Sequence, residues 1–245
     1  MASNHGEPQY SRDEFVAALT SYYEFLTEIF LPMSVLQHPP PSGWDHIASD
    51  YKDEAVVDLM RHIPYIRYDY VDKGKPYMIY ERCMAADYAG EIGRMESTRY
   101  DKRALFEPGP EIEQLSDIPS YVYCLGTIAG GSWYGNYIFV DTRRGTVTVC
   151  DLNNGAKPTE LSEEPENEGD CWREHETYPA VKFFEKLKEE WRQFKLIACS
   201  RKTVVKWGNG DEKLELIKKI YEEEGLFTSA YDLERCMRRV EAVDF

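Results

Sequence analysis

Two clusters of side chains in this sequence could bind or transform a ligand, and the first lies near position 44. Trp44, Asp45 and His46 are consecutive, and Arg61 and His62 follow at the end of a short amphipathic stretch. A histidine titrates near neutral pH, so His46 or His62 could serve as a general base. The structural alternative is a histidine at a helix end that binds the terminal backbone carbonyls. The sequence leaves both interpretations open.

The second cluster contains Tyr80, Glu81 and Arg82, with Asp87 shortly after them. A carboxylate beside an arginine can orient a polar ligand, which makes Glu81 a third candidate catalytic residue. The ordinary alternative is a charge pair at the edge of a sheet. Several aromatic residues could also line a pocket for a small molecule. These are Trp44, Trp133, Tyr134 and Trp172.

Three motifs that would identify an enzyme or a metalloprotein fail on spacing. Cys171 and His175 supply two ligands, whereas a zinc site needs four, or three with a water. The glycine-rich segment 126–131 lacks the lysine and hydroxyl residue of a phosphate-binding loop. Ser132 lies in a near match to a nucleophile elbow, but Tyr134 occupies the position of its second glycine. We therefore predict no cofactor and no metal, and the motifs disfavour an enzyme.

Charge and composition narrow the class of partner. The 245 residues carry a net charge of −15, which disfavours binding to nucleic-acid phosphates and to anionic membranes. No apolar run reaches the roughly 18 residues of a membrane span. Six scattered cysteines and the lack of a secretory signal are typical of a reducing compartment. We expect a cytoplasmic or nuclear protein that binds another protein, with a small molecule as the alternative ligand.

Helical periodicity is clearest towards the two ends of the chain. A helix is predicted over 11–31, beginning with a capping box at Ser11 and ending before Pro32. Further helices are predicted over about 53–62, 179–194 and 211–224, and from Ser229 onward. In the helix over 179–194, the inward face is predicted to contain Val181, Phe184, Leu187, Trp191 and Phe194.

Strand patterns lie mainly in the middle of the chain. Residues 76–82 and 121–125 are predicted strands, and 136–141 with 146–152 form a predicted hairpin closed by Gly145. Apolar and polar residues alternate in the second hairpin strand, which predicts one buried and one solvated face. Two later strands are predicted over 195–199 and 203–207. The order of elements predicts an α+β fold, with helices packed on one face of a mostly antiparallel sheet.

The chain is predicted to form a single domain over 11–245 that follows a flexible terminus, 1–10. The acidic segment 153–170 is predicted to be a mobile, solvated loop, with a cation- or partner-binding loop as the alternative. The prolines at 39–41 predict a stiff spacer anchored by Trp44. Residues 83–118 show no clear periodicity.

Three segments resemble a family of filamentous-fungal proteins: 56–65, 138–147 and the chain from Tyr178. The hairpin with Asp141 and Gly145 also resembles the SUKH superfamily, which includes fungal cell-wall-assembly and killer-toxin-resistance regulators and bacterial toxin-immunity proteins. This resemblance implies an α+β domain that binds protein partners and performs no chemistry. It assigns no functional residue.

Three hypotheses on function follow. The first is a non-enzymatic interaction or regulatory protein. The second is a small-molecule-binding protein or an enzyme of fungal specialised metabolism with an aromatic-lined pocket. The third is a helix that docks in a partner's groove, with an apolar face formed by Leu233, Met237 and Val240.

Overall fold

Helices from both ends of the chain pack against a mainly antiparallel sheet in the computed structural model, which confirms the predicted α+β class. The described residues are 9–67, 77–90, 118–128, 134–151, 154–208, 210–243 and 245. Their helices are α1 (Arg12–Ile29), α2 (Glu54–His62), α3 (Ala180–Arg192), α4 (Glu212–Glu223) and α5 (Leu233–Glu241), and short 3-10 helices cover Met33–Val35 and Glu168–Glu174. The strands are β1 (Leu36–Gln37), β2 (Tyr65–Ile66), β3 (Met78–Tyr80), β4 (Cys83–Ala85), β5 (Val122–Ile128), β6 (Tyr137–Asp141), β7 (Thr146–Cys150), β8 (Glu176–Pro179), β9 (Leu196–Ser200) and β10 (Thr203–Lys206).

The first helix forms where its apolar residues recur at helical spacing. The Ser11 hydroxyl accepts a hydrogen bond from Glu14 N at 3.4 Å, which is the first of the two bonds of the predicted capping box. The helix ends at Ile29, slightly before the predicted end. The apolar residues that recur at helical spacing are all buried: Phe15, Leu19, Tyr22, Leu26 and Ile29.

α3 packs against α1, and its inward face differs from the prediction at the first turn. Buried as predicted are Phe184, Leu187 and Trp191. The prediction for Val181 is wrong, because this side chain is 41% exposed and Phe183 points inward in its place. Phe194 lies beyond the helix, with a φ of 54°. The apolar stripe of α3 is therefore shorter than the predicted one and is rotated at its start.

The larger sheet contains β3 to β8 in chain order, and each neighbouring pair is antiparallel. The predicted hairpin is β6–β7, in which Asp141 pairs with Thr146. Asp141 Oδ1 accepts hydrogen bonds from the amides of Arg143 and Arg144 at 2.8 and 2.9 Å. Gly145 closes the turn with a φ of 64°, the left-handed conformation that favours glycine.

The prediction that β7 buries only one face is wrong. Every residue of β6 and β7 is buried. Val147 and Val149 join the main core under the helices, whereas Phe139 and Cys150 belong to a second apolar cluster on the opposite face. Trp172 completes that cluster, because the 3-10 helix Glu168–Glu174 lies over this face.

The acidic segment provides this cover, where a solvated loop was predicted over 153–170. Thr159 Oγ1 donates a hydrogen bond to Thr177 O at 2.6 Å, and Ser162 Oγ donates to His175 O at 2.5 Å. These bonds satisfy the outer edge of β8 in place of another strand. We call residues 157–174 the covering segment. Its contacts place it on the sheet, and its mobility stays a prediction.

The larger sheet is curled, so its two outer strands approach each other. Tyr80 of β3 and Glu176 of β8 line the same cleft, although their strands lie at opposite ends of the strand order. The antiparallel pair β9–β10 lies beside β3, since Arg82 N donates a hydrogen bond to Val204 O at 3.3 Å. The curl therefore brings residues from distant parts of the sequence to one opening.

Replacing Gly145 by alanine should destabilise the fold more than the same change at Gly155. The two glycines have φ of 64° and 73°, so alanine is strained by about 1 kcal/mol at either position. A Cβ at Gly145 would also lie 2.8 Å from the carbonyl carbon of Gln9, whereas nothing lies within 4 Å of one at Gly155. We expect urea denaturation to give losses of about 2–3 kcal/mol for Gly145→Ala and about 1 kcal/mol for Gly155→Ala. Equal losses would contradict the close packing of residues 9–10 on the turn.

Candidate functional site

An open groove of about 670 Å³ lies between α1 and α3, beside the turn of the β6–β7 hairpin. This volume is within the range of ligand-binding clefts, roughly 300–1,000 Å³. Its apolar lining consists of Phe15, Ala17, Ala18, Pro179, Ala180 and Val181. Its polar lining includes Glu14, Ser21, Lys182 and Glu185. We call it the α1–α3 groove.

The groove forms because small residues lie where the two helices meet. Ala17 of α1 and Ala180 of α3 leave space that longer side chains would fill, and Val181 points into this space. Ala180 N donates a hydrogen bond to Gly145 O at 3.0 Å, which fixes the start of α3 beside the hairpin turn. Sequence reasoning missed these residues, and the only signal for them is the small side chains at Ala17 and Ala18 inside an otherwise bulky apolar stripe.

Polar contacts tie the two helices together at one end of the groove. The buried Lys188 donates hydrogen bonds from Nζ to Ser21 Oγ at 2.7 Å and to Glu185 Oε1 at 2.9 Å. Because Ser21 belongs to α1 and Lys188 to α3, this bridge holds the spacing of the helices. The spacing of α1 and α3 at this end of the groove is therefore supported by a buried polar bridge.

The two histidines of the first predicted cluster are bonded to the backbone. His46 Nε2 lies 2.9 Å from Ala89 O, and His62 Nδ1 lies 2.7 Å from Asp58 O. His62 is the last residue of α2, so its bond is of the kind expected at a helix end. These contacts favour the structural interpretation of both residues over the catalytic one.

The remaining members of that cluster join the proline-containing spacer to α2. Trp44 N donates to Arg61 O at 2.8 Å, and Trp44 Nε1 donates to Ile63 O at 3.0 Å. Arg61 Nε in turn donates to Ile47 O at 2.7 Å. The Asp45 side chain is almost fully exposed. Trp44 is therefore the anchor that the sequence predicted for the spacer.

The second predicted cluster is divided between the core and a turn. Tyr80 is buried, and the Glu81 carboxylate lies 3.5 Å from Lys206 Nζ instead of pairing with Arg82. Arg82 lies in the β3–β4 turn with a φ of 47°. Asp87 is buried and accepts a hydrogen bond from the amide of Gly90. The predicted carboxylate–arginine pair is therefore absent among the described residues.

A polar cleft opens between β3 and β8, where the curled sheet brings its outer strands together. Its free volume of about 20 Å³ holds about one water molecule. Such a volume is too small for the aromatic-lined pocket that a small-molecule ligand or substrate would require. The cleft is lined by Tyr80, Asn136, Asp151, His175, Glu176 and Lys206, among others.

His175 is a buried titratable group of this cleft, with 4% of its surface exposed. Asp151 N donates a hydrogen bond to His175 Nδ1 at 3.4 Å, so the neutral ring carries its proton on Nε2. Burial lowers the pKa of the imidazole, whereas the nearby charges of Glu174, Asp151 and Glu176 act in the opposite direction. The sequence pointed to His175 only as a zinc ligand.

The aromatic residues predicted to line a pocket are not brought together. Trp44 packs near Tyr65, with ring centroids 6.1 Å apart, and Trp172 packs on Phe139 at 5.4 Å. Tyr134 is 59% exposed. Trp133 lies outside the described residues. Trp44 and Trp172 therefore pack against the core, whereas Tyr134 is exposed.

The apolar face of the final helix is also used inside the fold. Met237 and Val240 are fully buried in α5, and Leu233 packs against the same core. The hypothesis that this face docks in a partner's groove is wrong for the described fold, because the face packs against β9 and α4.

Metal and thiol chemistry receives no support from the part of the chain that is described. No group of three or more histidine, cysteine, aspartate or glutamate side chains could hold a metal ion within those residues. The six cysteines are free thiols, and all except Cys171 are buried. Burial raises the pKa of the Cys124 thiol to about 12, which suppresses the reactive thiolate. A membrane-crossing helix would have to be longer or more apolar than any helix among these residues.

Comparison with known proteins does not assign a function, so the proposal below is based on the geometry of the described residues. The resemblance to the SUKH superfamily stays a prediction. The α1–α3 groove is proposed as a site only from its lining residues and their contacts. No family model, curated protein or solved structure matches the chain significantly.

Proposed function

We propose that this chain is a non-enzymatic interaction domain that binds an apolar segment of a basic partner protein in the α1–α3 groove. The observation that supports the proposal is an open apolar cavity of about 670 Å³ at the surface. Val181 presents 41% of its surface there, on a helix whose other large apolar residues are buried. Exposed apolar surface of this kind is typical of sites that bind another protein.

The size of the groove limits the part of the partner that it can hold. Its α1 wall runs from Ser11 to Ser21, which corresponds to about 15 Å at 1.5 Å per helical residue. That length fits about four or five residues of an extended chain, or about three turns of a helix. We therefore expect a short linear segment with one or two apolar anchor residues.

The charge of the chain favours a basic partner. A net charge of −15 creates a long-range potential that attracts positive proteins and repels acidic ones. Such a field raises the association rate and falls with ionic strength. Lysine or arginine residues beside the apolar anchor would therefore increase the association rate without entering the groove.

A non-enzymatic role agrees with the contacts of the candidate catalytic residues. His46 and His62 are bonded to backbone carbonyls, and Glu81 lies near Lys206. The cleft around His175 has room for about one water molecule. These contacts support a binding role above the small-molecule alternative.

Photo-crosslinking from the groove tests this function. A benzophenone amino acid at Val181 should cross-link to a distinct polypeptide in an extract of cells that express the chain naturally. Ala17→Arg places a long charged side chain in the same groove and should reduce that product at least tenfold. Ala55→Arg is the matched control, because Ala55 is an exposed alanine of α2 outside the groove.

The same experiment can disprove the proposal. Cross-linking that is equal in the Ala17→Arg and Ala55→Arg chains would show that the groove is not the binding surface. A lack of any cross-linked polypeptide would contradict the proposal that the groove binds a partner protein. Both variants should keep the far-ultraviolet circular dichroism of the unchanged chain, since both positions are exposed on helices.

A further inference from the structure

The covering segment is held on the sheet largely by side chains. Thr159 and Ser162 donate hydrogen bonds to carbonyls of β8 and its preceding residue, and Arg144 of the hairpin turn donates one to Leu161 O at 2.8 Å. The segment forms no strand with β8 among the described residues. A cover attached in this way can separate from a sheet without breaking the sheet's own backbone ladder.

A complete apolar surface lies beneath this cover. Tyr137, Phe139 and Cys150 belong to it, and the Trp172 ring of the cover packs on it with its centroid 5.4 Å from that of Phe139. The indole nitrogen of Trp172 is buried and has no hydrogen-bond partner among the described residues. An unsatisfied buried donor weakens the closed arrangement relative to one in which water reaches it.

His175 is the residue where the cover joins the sheet. It follows the 3-10 helix Glu168–Glu174 and precedes β8, and its carbonyl accepts the hydrogen bond of Ser162. Its Nδ1 accepts a hydrogen bond from Asp151 N, at the end of β7. Only the neutral imidazole can accept this bond, because a protonated ring carries a hydrogen on each nitrogen.

The charged groups around His175 come from each neighbouring element. Asp151 follows β7, Glu174 ends the 3-10 helix and Glu176 begins β8. Lysines from the covering segment and from β10 line the same cleft, Lys157 and Lys206, together with the hydroxyl-bearing Tyr80 of β3. Three carboxylates thus favour a proton on the ring, whereas burial and the two lysines oppose it.

We propose that His175 is a proton-operated latch, and that its protonation releases the covering segment and exposes the apolar cluster beneath it. Protonation converts Nδ1 from an acceptor into a donor that faces the donor N–H of Asp151. The charged ring must then leave its site or reach water. Either movement displaces the chain at the junction of the cover and β8. The α1–α3 groove has no part in this device.

The direction of the pH dependence follows from the burial of the ring. Burial lowers the pKa of His175 in the closed state, despite the carboxylates, whereas an exposed ring in the open state titrates near its ordinary value of about 6.5. The open state therefore binds protons more strongly, and opening is favoured as the pH falls below about 6.5. At pH 5.5 the opening equilibrium can rise by up to about tenfold, the limit for a closed state that does not protonate.

Hydrogen exchange of the whole chain, followed by mass spectrometry, tests the latch. After correction for intrinsic rates, peptides from 157–175 should exchange several-fold faster at pH 5.5 than at pH 7.5. Peptides from α3 should change little over the same interval. His175→Asn keeps an acceptor near the position of Nδ1 but cannot be protonated, so it should abolish the acceleration. His46→Asn is the matched control and should retain it, because His46 lies in the separate cluster beside Trp44.

Two results would overturn the proposal. One is unchanged exchange of 157–175 between the two pH values in the unaltered chain, which requires no variant to fold. The other is equal acceleration in α3 and in 157–175, since that pattern indicates global destabilisation. If His175→Asn fails to fold, the lack of an acceleration specific to 157–175 in the unaltered chain still overturns the proposal.

Discussion

Phe184→Ala is expected to lower the free energy of unfolding by about 3–5 kcal/mol, the range for truncation of a buried aromatic residue. Phe184 is 1% exposed in the interface between α3 and α1. Its ring centroid lies 5.5 Å from that of Phe15 and 5.7 Å from that of Tyr22. Alanine would remove these contacts and leave a cavity that two packed helices cannot close. Urea denaturation followed by circular dichroism measures the loss.

Val181→Ala is the matched control on the same helix. The exposed Val181 should change the free energy of unfolding by no more than about 0.5 kcal/mol. The periodicity of the sequence predicted that both residues face inward, so the two variants separate the predicted helix face from the observed one. A large loss at Val181 together with a small one at Phe184 would show that α3 is rotated from its described position.

The helices and the central hairpin could be predicted because their signals are local. Ser11 caps α1 through an amide three residues away, and Gly145 takes the left-handed conformation that its turn needs. The inward residues of α4 are also those that the 3.6-residue period selects. These are Leu214, Ile217, Ile220 and Tyr221.

The burial of both faces of β6 and β7 could not be predicted from those strands. Their second face is covered by a segment whose composition is typical of a solvated loop, with Trp172 as its one large buried apolar residue. The polar residues Thr146 and Thr148 are buried on this second face, and Thr148 bonds to Thr177 of β8 at 2.9 Å. The alternation of residues in one strand shows only side-chain polarity. The burial of its second face depends on the covering segment, which is distant in sequence.

The candidate site was missed for a related reason. The candidate residues that the sequence indicated were side chains that can perform chemistry, such as His46, His62 and Glu81. The α1–α3 groove is instead formed by the small side chains of Ala17 and Ala180, on two helices that are far apart in the sequence. Small residues at a helix contact carry no motif, so their role appears only when the helices are placed together.

Arg173→Met is expected to lower the free energy of unfolding by about 2–3 kcal/mol, since it removes the more buried of two arginines from a largely buried ion network. Arg173 bonds to Glu163 at 3.0 Å and to the Tyr121 hydroxyl at 3.1 Å, and lies 3.3 Å from the Asp170 carboxylate. The Asp170 side chain is 9% exposed, so its charge would lose its partner where water cannot replace it. Methionine keeps an unbranched apolar stem against the ring of Trp172, which limits the change to charge and hydrogen bonds.

Arg143→Met is the control for this network, because Arg143 also contacts Tyr121 but is 63% exposed. Its ion pair with Asp53 is at the surface, and we expect a loss below about 1 kcal/mol. Hydrogen exchange should place the effect of Arg173→Met in 157–175, whereas Arg143→Met should leave that segment protected. Equal losses for the two variants would mean that Arg173 acts as an ordinary surface charge. The covering segment would then be held mainly by the hydrogen bonds of Thr159, Ser162 and Arg144 and by the packing of Trp172.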